Sequence, residues 1–279
     1  WRADLALSRL QTANTAALLA RSVTATLDKA ALALAAVGDQ LEPMLSGGTV
    51  DPQLVWPLVD KAAARVPELQ TIGLFDRQGH QICGIPAERC RQLDVSDRSY
   101  FQRLRDDPSA GPLLFGPVAS RLDGAPTLVM ARSLLAADGG FRGVAIALLP
   151  PQRLAALIAD VSLGPRGAAS LRMADGFDLL ARAPALPAGK ASAQTAAVTA
   201  ILNQALQVSP QAGSFQVQSP ADGAERLTAY QRLAGYPVYA MVADATDDSL
   251  AGWRSAAAWS GLFLLAFAAA SATVERLAT

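Results

Sequence analysis

The chain has 279 residues, 24 basic and 24 acidic for a formal charge of zero, and 51% of it is hydrophobic. That length can bury two cores of ordinary size, while the balanced charge excludes the basic stripe that neutralises nucleic-acid phosphates. His80 is the only histidine and Cys83 and Cys90 the only cysteines, so a histidine-dependent nucleophile has one candidate base, set in a turn, and a zinc site lacks ligands.

No metal, cofactor or catalysis is expected, since phosphate-cradling and dinucleotide glycine motifs are also missing. Trp1-Arg2 opens the chain without an initiator Met, as expected of a processed or excised piece.

Ala16, Ala20, Val23, Leu27, Ala30, Leu34, Val37 and Leu41 recur at spacings of four and three, which predicts one long helix with a single apolar seam, ended by Gly47-Gly48. The seam packs on the chain's own sheets, on a second copy of itself, or on both. Asp51 followed by Pro52 opens a second helix, with Val55, Val59, Ala62 and Val66 on one face and Pro67 as its stop. Strands over Leu69–Phe75 and Gln81–Ile85 then flank a turn at Asp76–Gly79.

Cys83 and Cys90 suit a small disulfide loop worth about 2.5 kcal/mol in an oxidising compartment, or else two buried thiols. The protein's mass before and after alkylation without reductant separates the two.

Asp94 or Ser96 is the expected cap of a short helix that carries Asp97, Arg98, Tyr100, Phe101 and Leu104 and ends at Asp107-Pro108. Three strands follow, Leu113–Ser120, Thr127–Leu134 and Phe141–Leu149, turned at Asp123-Gly124 and at Asp138-Gly139-Gly140. Alternation on the middle strand puts Leu128, Met130, Arg132 and Leu134 on one face and Thr127, Val129, Ala131 and Ser133 on the other. The second face is small and partly polar. With Ala145 and Ala147 on the last strand, it leaves room for a ligand cavity under the short helix.

Gln152–Val161 reads as a connecting helix, after which the order of elements repeats. Strands at Ala168–Met173 and Leu179–Arg182, a helix over Thr195–Val208, and strands at Ser214–Gln218, Arg226–Arg232 and Val238–Ala243 match the first plan. Two copies of one α+β unit with a five-stranded antiparallel sheet satisfy that order. Thr246 can cap a last helix running into Ser255–Val274, an uncharged stretch of about 30 Å when helical, read as a transmembrane helix with Trp253 and Trp259 at its interface. A buried core helix is the other reading of that stretch.

The run DRSYFQRLRDDPSAGPLLFGPVASRLDGAPTLVMARSLLAADGGFRGVAIALLP, with the later DGAERLTAYQRLAGYPVYAMVAD and GWR, resembles the double Cache sensor domains of bacterial membrane receptors, especially those on diguanylate cyclases and histidine kinases. The resemblance implies an N-terminal signalling helix (1–48), a membrane-distal PAS-like module (49–161), a membrane-proximal one (162–245), and a linker with a transmembrane helix (246–279). It also implies a sensor facing the periplasm or exterior, anchored in the bacterial inner membrane, dimeric in its receptor, and without enzymatic activity of its own. The expected partners are a small-molecule ligand, either an organic anion or an amino acid, and the membrane, with a diguanylate cyclase as the preferred output and a histidine kinase next. A chemoreceptor domain, or a membrane-tethered scaffold with no pocket, is the alternative.

Amino-acid-sensing members carry a Tyr, four residues, Arg, one residue, Trp, Tyr pattern in the helix before the meander. Here Leu93 replaces the first Tyr, and Arg98, Tyr100 and Phe101 fall on the rest; the Thr127–Leu134 strand has no Asp to hold an ammonium. The surviving half suits an acid, because a guanidinium forks onto a carboxylate. The candidate ligand residues are therefore Arg98, Tyr100, Phe101, Ser120, Ala131 and Ser133, unless Arg98 simply pairs with Asp94 or Asp97. Arg132 reads as a structural partner, and the second module, lacking an Arg-x-Tyr-Phe segment, is expected to transmit rather than bind.

Overall fold

The computed structural model describes residues 2–46, 51–84, 93–161, 163–186, 191–219, 223–245 and 259. Its first element, α1 (Arg2–Ser46), is 45 residues long, roughly 70 Å of helix. Every residue of the expected seam, from Ala16 to Leu41, is buried in it. Helix-weakening threonines are accommodated by bonding back one turn, Thr12 Oγ1 to Ser8 O at 2.8 Å and Thr15 Oγ1 to Gln11 O at 2.9 Å.

Helix α2 (Pro52–Ala63) starts as the Asp-Pro pair dictates, Asp51 accepting from the Gln53 N–H at 2.9 Å. It ends at Ala63 rather than Pro67, tight turns taking the chain onward.

Strands β1 (Thr71–Asp76), β2 (Gln81–Gly84), β3 (Leu113–Ala119), β4 (Pro126–Leu135) and β5 (Phe141–Leu149) form one antiparallel sheet in the order β2-β1-β5-β4-β3, with helix α3 (Ser99–Asp106) inserted before β3. After α4 (Pro151–Ala159), strands β6 (Ala168–Met173), β7 (Leu179–Ala183), β8 (Ala212–Gln218), β9 (Glu225–Arg232) and β10 (Val238–Ala245) repeat it as β7-β6-β10-β9-β8, with α5 (Ala191–Val208) in the equivalent place. The two sheets thus share one topology, the repeated order read from the sequence. Helix α5 begins at Ala191 rather than Thr195 because Ala191–Gln194 is as helix-compatible as the residues after it.

Each sheet has a shared face and a private one. The shared core joins the α1 seam to Leu128, Met130 and Leu134 of the first sheet and to Ala169, Leu171, Ala229, Val238 and Ala240 of the second. The private faces carry separate cores, Phe75, Tyr100, Phe101, Val129 and Ile146 with α3, and Leu202, Tyr230, Tyr239 and Met241 with α5. Ala145 and Ala147 lie on the shared face, where their small side chains let the helix approach, so their expected place in a cavity under the short helix is corrected. Arg132 on that face reaches Asp39 of α1 at 4.0 Å, in keeping with a structural role.

Gly143 marks the tightest backbone approach. Its φ is 148°, and a Cβ there would lie 1.9 Å from Phe75 O, so only glycine lets β5 pair with β1 at this register.

Of the expected membrane span only Trp259 is described, and the stop at Gly47-Gly48 and the Cys83–Cys90 pairing also fall outside the described residues. Among the described residues no helix is long and apolar enough to cross a membrane.

The second sheet is tied to α1 by the Tyr236 hydroxyl, which donates to Asp28 Oδ1 at 2.8 Å. Burial first, then this bond and the Asp28 charge, push the Tyr236 phenol above its ordinary pKa. Tyr236→Phe should lower stability by about 1 kcal/mol, the value of one net hydrogen bond whose acceptor is solvent-exposed. Urea unfolding checks this: the midpoint falls while the slope stays constant.

Candidate ligand-binding site

The segment before α3 is shaped by local hydrogen bonds rather than by a helix cap. Asp94 accepts from the Ser96 N–H at 2.8 Å, making a turn upstream of the helix, and the N-cap position is held by Arg98 in extended conformation with no side-chain cap bond. The expectation that Asp94 or Ser96 caps the helix is corrected accordingly. Asp97, also outside the helix, takes Arg121 Nη2 at 2.5 Å.

These bonds decide the fate of Arg98. Neither Asp94 nor Asp97 holds it; its Nη2 donates to the Ala119 carbonyl at 2.9 Å, binding the start of α3 to the end of β3. No carboxylate among the described residues lies within ion-pairing distance of it. Arg98 is half-buried as a residue, and its guanidinium keeps donors to spare.

Below it lies a cavity of about 40 Å³. Its floor is the private face of the first sheet, Thr71, Gly73 and Phe75 of β1, Thr127 and Val129 of β4, and Ile146 and Leu148 of β5. Its rim is Leu93, Val95, Arg98 and Tyr100 on one side and Val118–Leu122 on the other. The β3–β4 register slips between Phe115 and Val118, and such a bulge re-aims the following residues. Space for the cavity comes from Gly73, whose missing Cβ would lie 3.1 Å from the Phe75 ring and 3.4 Å from Ile146.

Tyr100 is 4% exposed, its ring tilted against Phe115 with centroids 6.0 Å apart. Its hydroxyl reaches no acceptor among the described residues. Burial pushes the phenol up to about 12, against the opposing pull of Arg98 and Arg121, so it is a hydrogen-bond donor at neutral pH.

Gln81, at the edge of the sheet, adds a second unsatisfied group. Its Oε1 is buried without a partner and its residue lines the cavity. Ser120 is committed to the hairpin turn, where its Oγ accepts from the Leu122 N–H at 3.1 Å.

Three of the candidate residues, Arg98, Tyr100 and Ser120, therefore line the cavity, and three do not. Phe101 is core, packed edge-on against Phe141 at 5.8 Å. Ala131 is buried in the α3 core, and the Ser133 hydroxyl donates to Leu104 O at 3.4 Å under the next turn. The helix covers that end of the sheet, and so both residues meet protein instead of the cavity.

Sequence reasoning missed Gln81, Thr71, Gly73, Ile146 and Leu148. The strand periodicity that sorted β4 would have found the last four if carried across the register to β1 and β5.

The chain is similar to the extracellular domain of rpHK1S-Z16, assigned as a histidine kinase, at 30% identity and a TM-score of 0.74 over 89% of this chain and 99% of that one. A family model described as dCache_1_like, histidine kinase sensor domain, matches residues 152–243. In fold alone it resembles the ligand-binding domain of the Campylobacter jejuni chemoreceptor Tlp3 in complex with L-valine (14% identity, TM-score 0.63, 89% of this chain and 96% of that one). The ligand-binding domain of the Pseudomonas aeruginosa PAO1 amino-acid chemoreceptor PctB with L-Arg is similar too (16%, 0.62, 84% and 93%). No curated protein sequence matches the chain.

Paired sheets of one topology on a common helix, with a cavity beside the start of the inserted helix of the first, define a tandem PAS-like sensor. The chain belongs to the double Cache sensor-domain family.

Asp94 is held below the usual carboxylate range, first by the Ser96 N–H. A group with a depressed folded-state pKa contributes stability above its unfolded pKa and loses it as pH falls through the folded one. Hydrogen-exchange protection of the Ser96 amide should therefore hold at neutral pH and fall only below the ordinary Asp range; Asp94→Ala should show the unprotected rate at every pH.

Proposed function

We propose that this chain is the extracytoplasmic sensing region of a membrane receptor and binds a small organic acid in its first, membrane-distal module (49–161). One observation carries the reading: half-buried Arg98 presents a guanidinium with no carboxylate partner among the described residues at the mouth of a mainly apolar cavity. A buried or half-buried cation without a counter-charge is costly, and an incoming carboxylate supplies one. Tyr100 adds a phenolic donor, the Gln81 amide a polar contact, and Ile146 and Leu148 an apolar wall for the acid's carbon chain.

A 40 Å³ space holds only a few waters, so a carbon chain enters by displacing the rim. Arg98 then exchanges the Ala119 carbonyl for the ligand, which loosens α3 from β3. Helix α1 touches both sheets, so a change in the first reaches the second as a helix shift of about 1–2 Å. The second module (162–245) and the 246–279 segment, which we infer to contain the membrane anchor, pass that shift to the cytoplasmic side.

A histidine kinase output is favoured by the 30% identical relative, whereas the diguanylate cyclase reading rests on the likeness of the GYPVYAMVAD and GWR region. The exposed Leu7, Leu10, Leu18 and Leu32 of α1 support pairing of two receptor copies along this helix.

A thermal-shift screen with organic acids, amino acids and polyamines should give its rise in melting temperature with acids, because a ligand that binds only the folded state stabilises it. Arg98→Ala should then weaken that acid by roughly 30- to 5,000-fold in calorimetry, or about 2 to 5 kcal/mol, with the fold intact. Unchanged affinity in this variant rejects the site. Gly73→Ala should weaken it as well while shifting stability by less than about 1 kcal/mol, since the new methyl projects into the cavity and its ring neighbour must yield by only tenths of an ångström.

A further inference from the structure

The private face of the second sheet holds a different cavity, about 30 Å³ in volume, and three arginines line it. Arg172 comes from β6, Arg182 from β7 and Arg226 from β9, joined by the hydroxyl-bearing Ser170 and Thr228. The sheet register explains the convergence. Ser170 sits opposite Arg182 across one strand boundary and next but one to Arg172 along its own strand, while Thr228 reaches the same face from beyond β10 through its pairing with Ala243. Ala168 and Ala243 form a low floor between them. No carboxylate is among the lining residues.

Two of these arginines are almost wholly out of water, Arg172 at 2% exposure and Arg226 at 6%. Buried charges are normally paired, and Arg172 is not: its Nη1 donates to the Phe177 carbonyl at 3.0 Å, its buried Nε has no partner, and no carboxylate among the described residues lies within ion-pairing distance. Exposed Asp178 acts on it more weakly than burial and the neighbouring Arg182, which together hold its pKa down to about 10. Arg226 donates through Nε to Arg166 O at 3.1 Å, and Arg182 through Nη1 to the Pro184 carbonyl. These backbone carbonyls orient the two side chains on either side of Arg172.

We propose that this second cavity is an anion site, taking a small oxyanion or short carboxylate between Arg172, Arg182 and Arg226, with Ser170 and Thr228 as hydroxyl donors. Convergent guanidinium forks match planar or tetrahedral oxygens, and the small volume limits the occupant to an ion or a head group. The inference stands apart from the acid proposed for the first module, since no residue is common to the two cavities.

The test is calorimetric titration of the full chain with acetate, inorganic phosphate and inorganic sulfate, each at constant ionic strength set with potassium chloride. At least one should bind saturably, and Arg182→Gln, at the half-exposed rim, should weaken it at least about tenfold. Arg172→Met should abolish that binding and, without anion, melt no lower than the wild type, because it removes a buried cation that lacks a counter-charge and keeps the stem. Arg98→Ala should bind the same anion unchanged, which separates this site from the first. No saturable heat with any of the three anions, or equal affinity in Arg182→Gln and the wild type, overturns the proposal.

Discussion

The structure depends on one apolar seam. Residues Ala16 to Leu41 of α1 reach the inner faces of two sheets at once, and among the described residues only the shorter α2, on the first sheet, and α4, on the second, share that work. Area removed from water along a helix of this length is the main favourable term holding the sheets to a common axis. A polar tie to each sheet, Asp39 to Arg132 and Asp28 to Tyr236, sets register more than stability.

That arrangement divides the labour between faces. Tight packing against α1 needs small or regular side chains, hence Ala145 and Ala147 in the first sheet and Ala229 and Ala240 in the second. Among the described residues the helices on the opposite faces are the short α3 and α5, which leave part of each sheet unroofed. Cavities form there, and polar groups collect in them. In the first sheet they are the guanidinium of Arg98 with Arg121 beside it on the rim, a phenol and an amide over a mainly apolar floor; in the second, three guanidiniums over alanines. The same topology thus presents two chemically distinct hollows.

Most of the architecture was legible because it rests on periodicity. The four-three spacing gave α1 and its buried seam, alternation gave the faces of β4, and Gly-containing turns gave the hairpins. Individual side-chain fates were less legible. Asp94 reads as a cap until the backbone shows it turning the chain earlier, and Ala145 reads as cavity wall until the register with β1 puts it under α1. Phe101 matched a binding pattern yet serves as core, since the first turn of α3 points it at Phe141. Of the three arginines of the second cavity, Arg172 and Arg182 share the β6–β7 hairpin but Arg226 lies beyond α5 and β8, so no local pattern joins all three.

The proposed carboxylate site is the hollow beside the start of α3, centred on Arg98, on the side of the sheet away from the long helix. Crystals of the chain grown with the acid that most raises its melting temperature test this directly. Density is expected for a carboxylate within hydrogen-bond distance of the Arg98 guanidinium and the Tyr100 hydroxyl, its carbon chain against Ile146 and Leu148. Arg98 still bonded to the Ala119 carbonyl, with the acid bound elsewhere, would contradict it.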